Sequence, residues 1–211
     1  MNLNNLTKSR HTIIDMIELR GYNLDKYKNF TDTELDLMME NMGKIQYENM
    51  PLDMECKHND SDKSCLIKYV LTKLRVEKYN VLIIDLIEQQ IIKDGDDLIL
   101  IVKDKINNLD SFYSLFDKFY KSNNIFIQIF SINNLLINIK NHVLVPDLRI
   151  LNDSEKDSIR EKYNVETMTQ FPLLLNSDPM AKFYGVKHGD LCEITRTSET
   201  SGKYISYRYC E

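Results

Sequence analysis

Asp97-Leu98-Ile99-Leu100-Ile101-Val102-Lys103 is a short, unbroken apolar run bounded by turn signals and closed by charge at both ends. A run of this length and composition reads as a short strand. Its neighbours set the architecture. Upstream, residues 65–72 read as a strand and 77–93 as a long helix. Downstream, Leu109, Phe112, Tyr113 and Phe116 recur at helical spacing, and 125–130 is another apolar strand. Strands alternating with helices require crossover connections, so this part of the chain is α/β, a mixed sheet with flanking helices.

Nearer the N-terminus, residues 9–20 read as a first helix stopped by Gly21. Thr31 and Glu34 form a capping box that opens a second helix, with Leu35, Met38, Met39 and Met42 at helical spacing before Gly43. Its methionines read as core filler rather than as a partner groove. Residues 46–64 turn polar, with Pro51 and Asn59-Asp60-Ser61-Asp62, and read as an exposed, mobile connection. After the apolar run 135–139 a break falls near 142–146. A short helix over 154–163 follows, then a strand-rich tail in which Ser201-Gly202 marks a turn. The expected organisation is an α/β domain over residues 1–141 and a small α+β domain over 142–211.

Composition narrows the function. The 211 residues are 43% hydrophobic and carry a net charge of −5, which disfavours bulk electrostatic binding of nucleic acid. No apolar run approaches a membrane span and the N-terminus lacks a signal-peptide pattern, so a soluble, intracellular chain without membrane partners is expected. Cys56, Cys65, Cys192 and Cys210 form no C-x-x-C pair and read as reduced thiols. Cys56, His58 and Cys65 invite zinc, but the spacing is not a standard one and a fourth ligand is lacking, so a polar surface loop is the preferred reading.

Recognisable catalytic chemistry is missing. The glycines form neither a dinucleotide-binding nor a P-loop pattern, and no G-x-S-x-G elbow occurs. His11, His58, His142 and His188 lack metalloprotease spacing. Pro51-Leu52-Asp53-Met54-Glu55-Cys56-Lys57 crowds its acids too closely for a restriction-type nuclease. By elimination the chain is a binding or assembly module with no catalytic residue, metal or cofactor of its own.

One stretch goes further: Asp178-Pro179-Met180-Ala181-Lys182-Phe183-Tyr184-Gly185-Val186-Lys187-His188-Gly189-Asp190. It is followed by Ile194-Thr195-Arg196-Thr197-Ser198-Glu199-Thr200-Ser201-Gly202-Lys203-Tyr204-Ile205-Ser206-Tyr207-Arg208. Together they closely resemble the C-terminal assembly domain of the fifth subunit of eukaryotic RNA polymerases, the H subunit of archaea. That family carries D-P-x-A-[RK]-x-x-G-x-K-x-G and then I-x-R-x-S-E-T-x-G-[RK]-Y-x-x-Y-R. Leu135-Leu136-Ile137-Asn138-Ile139 and His142-Val143-Leu144-Val145-Pro146 resemble the family's interdomain segment. Arg10-His11-Thr12-Ile13 and Arg20-Gly21-Tyr22 resemble its first helix and exit.

The resemblance implies a non-catalytic subunit of a multisubunit DNA-directed RNA polymerase, a hetero-oligomer in which chemistry resides in the two largest subunits. The C-terminal domain would dock on the largest subunit beside other core subunits, and the N-terminal jaw would lie near downstream duplex DNA, touching it weakly or indirectly. The jaw points to a eukaryote or a large DNA virus of eukaryotes, hence to the nucleus, or to a virion or cytoplasmic viral factory. Candidate interface residues are Pro179, Tyr184, Gly185, Arg196, Glu199, Tyr207 and Arg208. Tyrosines supply area at low entropy cost, arginine forks give orientation, and Pro179 and Gly185 shape a turn. For each of them a role in holding the fold competes evenly.

The chain also departs from the family. Leu173 stands where arginine usually follows Leu-Pro, and Glu193 stands where lysine precedes the isoleucine, so a contact or two is expected to differ. The jaw loop that carries T-P-S-A reads Lys103-Asp104-Lys105-Ile106-Asn107-Asn108-Leu109-Asp110-Ser111 here. Lys103 and Lys105 are candidates for downstream DNA phosphate, with solvated surface lysines the competing reading. The alternatives are a free-standing DNA-binding or nuclease-like α/β protein, and a polymerase-like adaptor that kept the assembly domain for regulation.

Overall fold

The computed structural model describes residues 3–31, 33–34, 37, 52–103, 109–198 and 202–211. The chain divides into two compact units, Met1–Ile137 and Asn138–Glu211. Each is a mixture of helices around a mixed sheet. No helix among the described residues is long and apolar enough to cross a membrane.

The first unit opens with helix α1 (Leu3–Leu19), six residues longer at its start than its sequence pattern suggests. Asn4, Lys8, His11 and Asp15 form an exposed stripe at helical spacing, and Leu6, Ile13, Met16 and Ile17 are buried. Arg10 is buried too: its Nη1 donates to the Leu52 carbonyl at 3.3 Å, and its guanidinium lies 5.8 Å from the rings of both Tyr27 and Phe30. Gly21 ends the helix with φ of +88°, and a side chain there would bring a Cβ within 3.0 Å of His58 Nε2.

Strand β1 (Tyr22–Asn23), helix α2 (Asp25–Lys28) and strands β2 (Met54–His58) and β3 (Ser64–Val70) follow. Then come helix α3 (Val76–Glu88), β4 (Asp97–Val102), helix α4 (Leu109–Asn123) and β5 (Phe126–Ser131). The sheet order is β1-β2-β3-β4-β5, antiparallel as far as β3 and parallel from β3 to β5. All six residues of β4 are buried, as its unbroken apolar run requires of a strand covered on both faces. Leu98, Leu100 and Val102 pack with Leu82, Ile83, Leu86, Phe112 and Phe116 of α3 and α4. Asp96, just ahead of β4, accepts Ser64 N–H at 2.8 Å and Lys93 N–H at 2.9 Å, fixing the entry to two strands.

Three expectations for this unit fail. Residues 46–64 are not one exposed connection, because 54–58 form β2, with Met54 and Cys56 buried and Glu55 and Lys57 outside. Cys56, His58 and Cys65 are not a polar surface loop either. Cys56 and Cys65 are opposed core residues on β2 and β3, and the Cys56 thiol donates to the Cys65 carbonyl at 3.3 Å. His58 packs edge-on against Tyr22 at 5.0 Å. Among the described residues no group of three His, Cys, Asp or Glu is placed to hold a metal ion. The expected long helix ends at Glu88 rather than at 93, since Gln90 takes a left-handed φ of +57°. The Thr31–Glu34 capping box is present, but most of the helix it opens, with Leu35, Met38, Met39, Met42 and Gly43, lies outside the described residues.

In the second unit, strand β6 (Asp147–Ile150) leads to helix α5 (Asp153–Lys162), whose start carries a full capping box between Asn152 and Glu155. Strand β7 (Leu173–Leu174), helix α6 (Pro179–Tyr184) and strands β8 (Leu191–Ser198) and β9 (Gly202–Cys210) complete it. The order is β6-β8-β9-β7, with β7 parallel to β9 and the other pairs antiparallel. One cluster gathers Leu148, Leu174, Ala181, Val186, Cys192, Ile194 and Cys210. A second gathers Leu151, Phe171 and Leu191 with Ile159, Val165, Met168, Tyr207 and Tyr209.

Candidate assembly surface

Within the segment from Asp178 to Gly189, α6 (Pro179–Tyr184) is secured at both ends. Asp178 Oδ1 accepts the N–H groups of Met180 at 2.8 Å and Ala181 at 3.3 Å, and Pro179 occupies the first turn, where no amide is needed. Gly185 closes the helix with φ of +70°, which lets Val186 N–H return to the Ala181 carbonyl at 2.9 Å. Ala181, Phe183 and Val186 are buried. Tyr184 is half-buried; burial raises its pKa, and its hydroxyl accepts a hydrogen bond from the backbone of Leu148. Pro179, Tyr184 and Gly185 therefore have evident tasks inside the unit.

The hairpin of β8 and β9 differs along its length. Near the sheet, Leu191, Cys192, Ile194 and Cys210 are buried. Toward the turn, Arg196, Thr197, Lys203, Tyr204 and Ile205 are exposed, with Tyr204 at 56% and Ile205 at 46%. The register opposes Arg196 to Tyr204 and Thr195 to Ile205. Since side chains alternate across a strand, Arg196 and Tyr204 share one face, and Lys203 and Ile205 share the other with Thr195. Arg196 makes no hydrogen bond or ion pair with the described residues, so its planar donors are open to solvent. Glu199 lies outside the described residues.

The lower hairpin is engaged internally. Arg208 Nη1 donates to the Leu173 carbonyl at 3.0 Å, tying β9 to β7. Tyr207 Oη donates to Glu193 Oε2 at 3.2 Å and its ring meets Tyr163 edge-on at 5.7 Å. Burial, with the Glu193 carboxylate, raises the Tyr207 pKa. Glu193 also takes Arg149 Nη2 at 3.4 Å across β6 and β8, while Arg149 Nη1 reaches Glu155 at 2.5 Å. This network accounts for Glu193 within the chain, where the sequence suggested an altered partner contact.

In the first unit, Lys103 is exposed immediately after β4, and Lys105 lies outside the described residues. Asp53, from the crowded acidic segment, is committed: Oδ2 pairs with Lys68 Nζ at 3.1 Å and Oδ1 accepts Tyr69 N–H at 2.8 Å.

Sequence reasoning missed several exposed residues. Val143 and Leu144 of the second unit are 97% and 84% exposed ahead of β6, and Lys203 and Ile205 flank Tyr204 at the hairpin tip. The available signal was apolar side chains beside Pro146 and beside a glycine turn, outside any buried periodicity.

The comparisons follow this division. Residues 137–210 match the family model of the RNA polymerase Rpb5 C-terminal domain. The DNA-directed RNA polymerase subunit Rpo5 of Pyrococcus horikoshii is 49% identical over 71 residues, which cover 34% of this chain and 85% of that protein. The chain belongs to the subunit 5 family of DNA-directed RNA polymerases. Subunit 5 relatives with an N-terminal half align over nearly the whole length. The Dictyostelium discoideum subunit rpabc1 of RNA polymerases I, II and III is 27% identical over 214 residues, covering 99% of this chain and 98% of the relative. Subunit 5B of Arabidopsis thaliana polymerases IV and V is 27% identical over 208 residues, covering 95% and 87%. As a subunit 5 protein, the chain acts in transcription as part of a multisubunit polymerase.

Proposed function

We propose that this subunit is non-catalytic and assembles the enzyme: its second unit docks on the largest subunit, and its first unit forms a jaw beside downstream duplex DNA. The observation that carries this reading is the two-part hairpin, whose lower half is bound into its own fold while Arg196, Lys203, Tyr204 and Ile205 stand in solvent. An aromatic, an aliphatic and two cations on a rigid ladder are the residue types that anchor interfaces. The committed state of Asp53 supports a jaw without nuclease chemistry, since both its oxygens hold the fold.

The subunit needs no cofactor of its own. It resides in the nucleus if cellular, or in a virion or cytoplasmic viral factory if encoded by a large DNA virus. Jaw contact with DNA is weak, with Lys103 and Lys105 the groups nearest to that task. Co-expression with the largest subunit tests the docking: a stable binary complex supports it, and failure to form one contradicts it. Filter binding of the isolated chain to duplex DNA at low salt tests the rival. Nanomolar, steeply salt-sensitive binding would favour a free-standing DNA-binding protein.

A further inference from the structure

Strand β9 is flanked on both sides only at its C-terminal end. β8 accompanies it from Gly202 to Tyr209, whereas β7 meets it only at Tyr209 and Cys210. The hydrogen bonds show which way each amide points. Cys210 N–H donates toward the β8 side, to the Asp190 carbonyl at 2.8 Å, and Tyr209 N–H donates the other way, to Pro172 at 3.0 Å. Alternation along an antiparallel ladder then turns the N–H and C=O groups of Tyr204, Ser206 and Arg208 toward β8. Those of Lys203, Ile205 and Tyr207 face the open edge. No described strand lies against that edge over residues 203–207, an extended length of about 17 Å.

Proteins usually blunt such an edge with proline, bulges or charge. Beyond Lys203 at its start, this one reads Tyr204-Ile205-Ser206-Tyr207, with Tyr204 and Ile205 exposed. We propose that the edge receives an extended segment of another polymerase subunit, which adds as a strand beside β9 and continues the line of β7 toward the hairpin turn. This rests on the assembly reading above and specifies how the docking is made. Main-chain pairing supplies the register, and side-chain contacts supply the choice of partner.

The charge of the site indicates the segment's chemistry. The chain is acidic overall, yet by sequence the outer half of the hairpin, residues 196–203, carries Arg196 and Lys203 against the single acid Glu199, a net charge of +1 in a chain of −5. Glu193, nearer the sheet, is already held by Arg149 and Tyr207. An acidic strand with apolar residues at alternate positions complements this edge.

Residue-resolved hydrogen exchange on the free chain and on the purified polymerase tests the proposal. The amides of Lys203, Ile205 and Tyr207 should exchange about tenfold or more slowly in the complex, while those of Tyr204, Ser206 and Arg208 are protected in both. If the chain is in the polymerase and the three amides remain unprotected, strand addition is overturned and assembly stands. If the chain is absent from the polymerase, the assembly reading itself fails. Protection of these amides in a dimer of the free chain would assign the edge to a second copy and overturn the proposal. Ile205→Pro provides an independent arm, because it deletes an outward-facing amide and leaves the β8 ladder intact. It should fold with an unchanged melting temperature and lose incorporation about tenfold, one lost edge hydrogen bond with its neighbours' register; wild-type incorporation would overturn the proposal.

Discussion

Asp53 and Lys68 form an ion pair at 3.1 Å with both side chains largely withdrawn from water, and the second oxygen of Asp53 holds the Tyr69 amide. Removing the acid takes the carboxylate away from the buried Lys68 cation and the acceptor away from the Tyr69 amide. Asp53→Ala should therefore destabilise the first unit by about 3 kcal/mol, read as a lower urea midpoint. Millimolar magnesium should leave the wild-type midpoint unchanged, since the carboxylate is already occupied.

Arg149 and Glu193 face each other across β6 and β8. Glu193→Lys, which installs the residue usual in the family, places a cation opposite Arg149 and removes the acceptor of Tyr207. A loss of about 1 kcal/mol is expected, modest because Arg149 is largely solvated. The charge-reversed pair Arg149→Glu with Glu193→Lys should recover little of it in thermal melts, because it restores the cross-strand attraction but sets a carboxylate beside Glu155 and leaves Tyr207 without its acceptor.

The two arginines singled out in the tail separate in role. Arg208→Ala removes a bond to the Leu173 carbonyl and should lower stability by about 1 kcal/mol. Arg196→Ala removes no hydrogen bond or ion pair made with the described residues and should leave the melt unchanged while weakening incorporation into the polymerase. Melting and pull-down of the two single variants separate these effects. Equal incorporation of Arg196→Ala and wild type would remove Arg196 from the interface.

Burial pushes the Cys192 thiol up to about 12 and the Cys210 thiol up to about 11, from an ordinary 9.0. Between these values the unfolded chain loses protons that the folded chain keeps, so folded stability must fall as pH rises above 9. Urea midpoints measured from pH 8 to pH 11 should decline, and Cys192→Ala with Cys210→Ala should flatten the decline. Thiol reagents at pH 8 should label the folded chain slowly and the unfolded chain fast.

Much of the architecture was legible because it rests on period and punctuation. The run 97–102 announced a strand, and Gly202 announced the point where β9 begins to pair back along β8. Strand β2 escaped notice because its alternation lasts only from Met54 to Lys57 and sits between Pro51 and the turn at 59–62. The end of α3 was misplaced because a glutamine, not a glycine, takes the left-handed position. At the candidate site, motif matching drew attention to β8 and β9 but could not say which side chains the fold consumes. Glu193 looked like a changed partner contact because its cation, Arg149, lies 44 residues away in sequence. For Pro179 and Gly185 the sequence left fold and interface evenly matched, and the two ends of α6 use both residues.

The most direct test of the central claim is affinity purification of the tagged chain from its native source, with the co-purifying proteins identified by mass spectrometry. The account predicts the largest polymerase subunits in stoichiometric amounts, retained through a salt wash that strips nucleic acid. Recovery of the chain without any large polymerase subunit would contradict it.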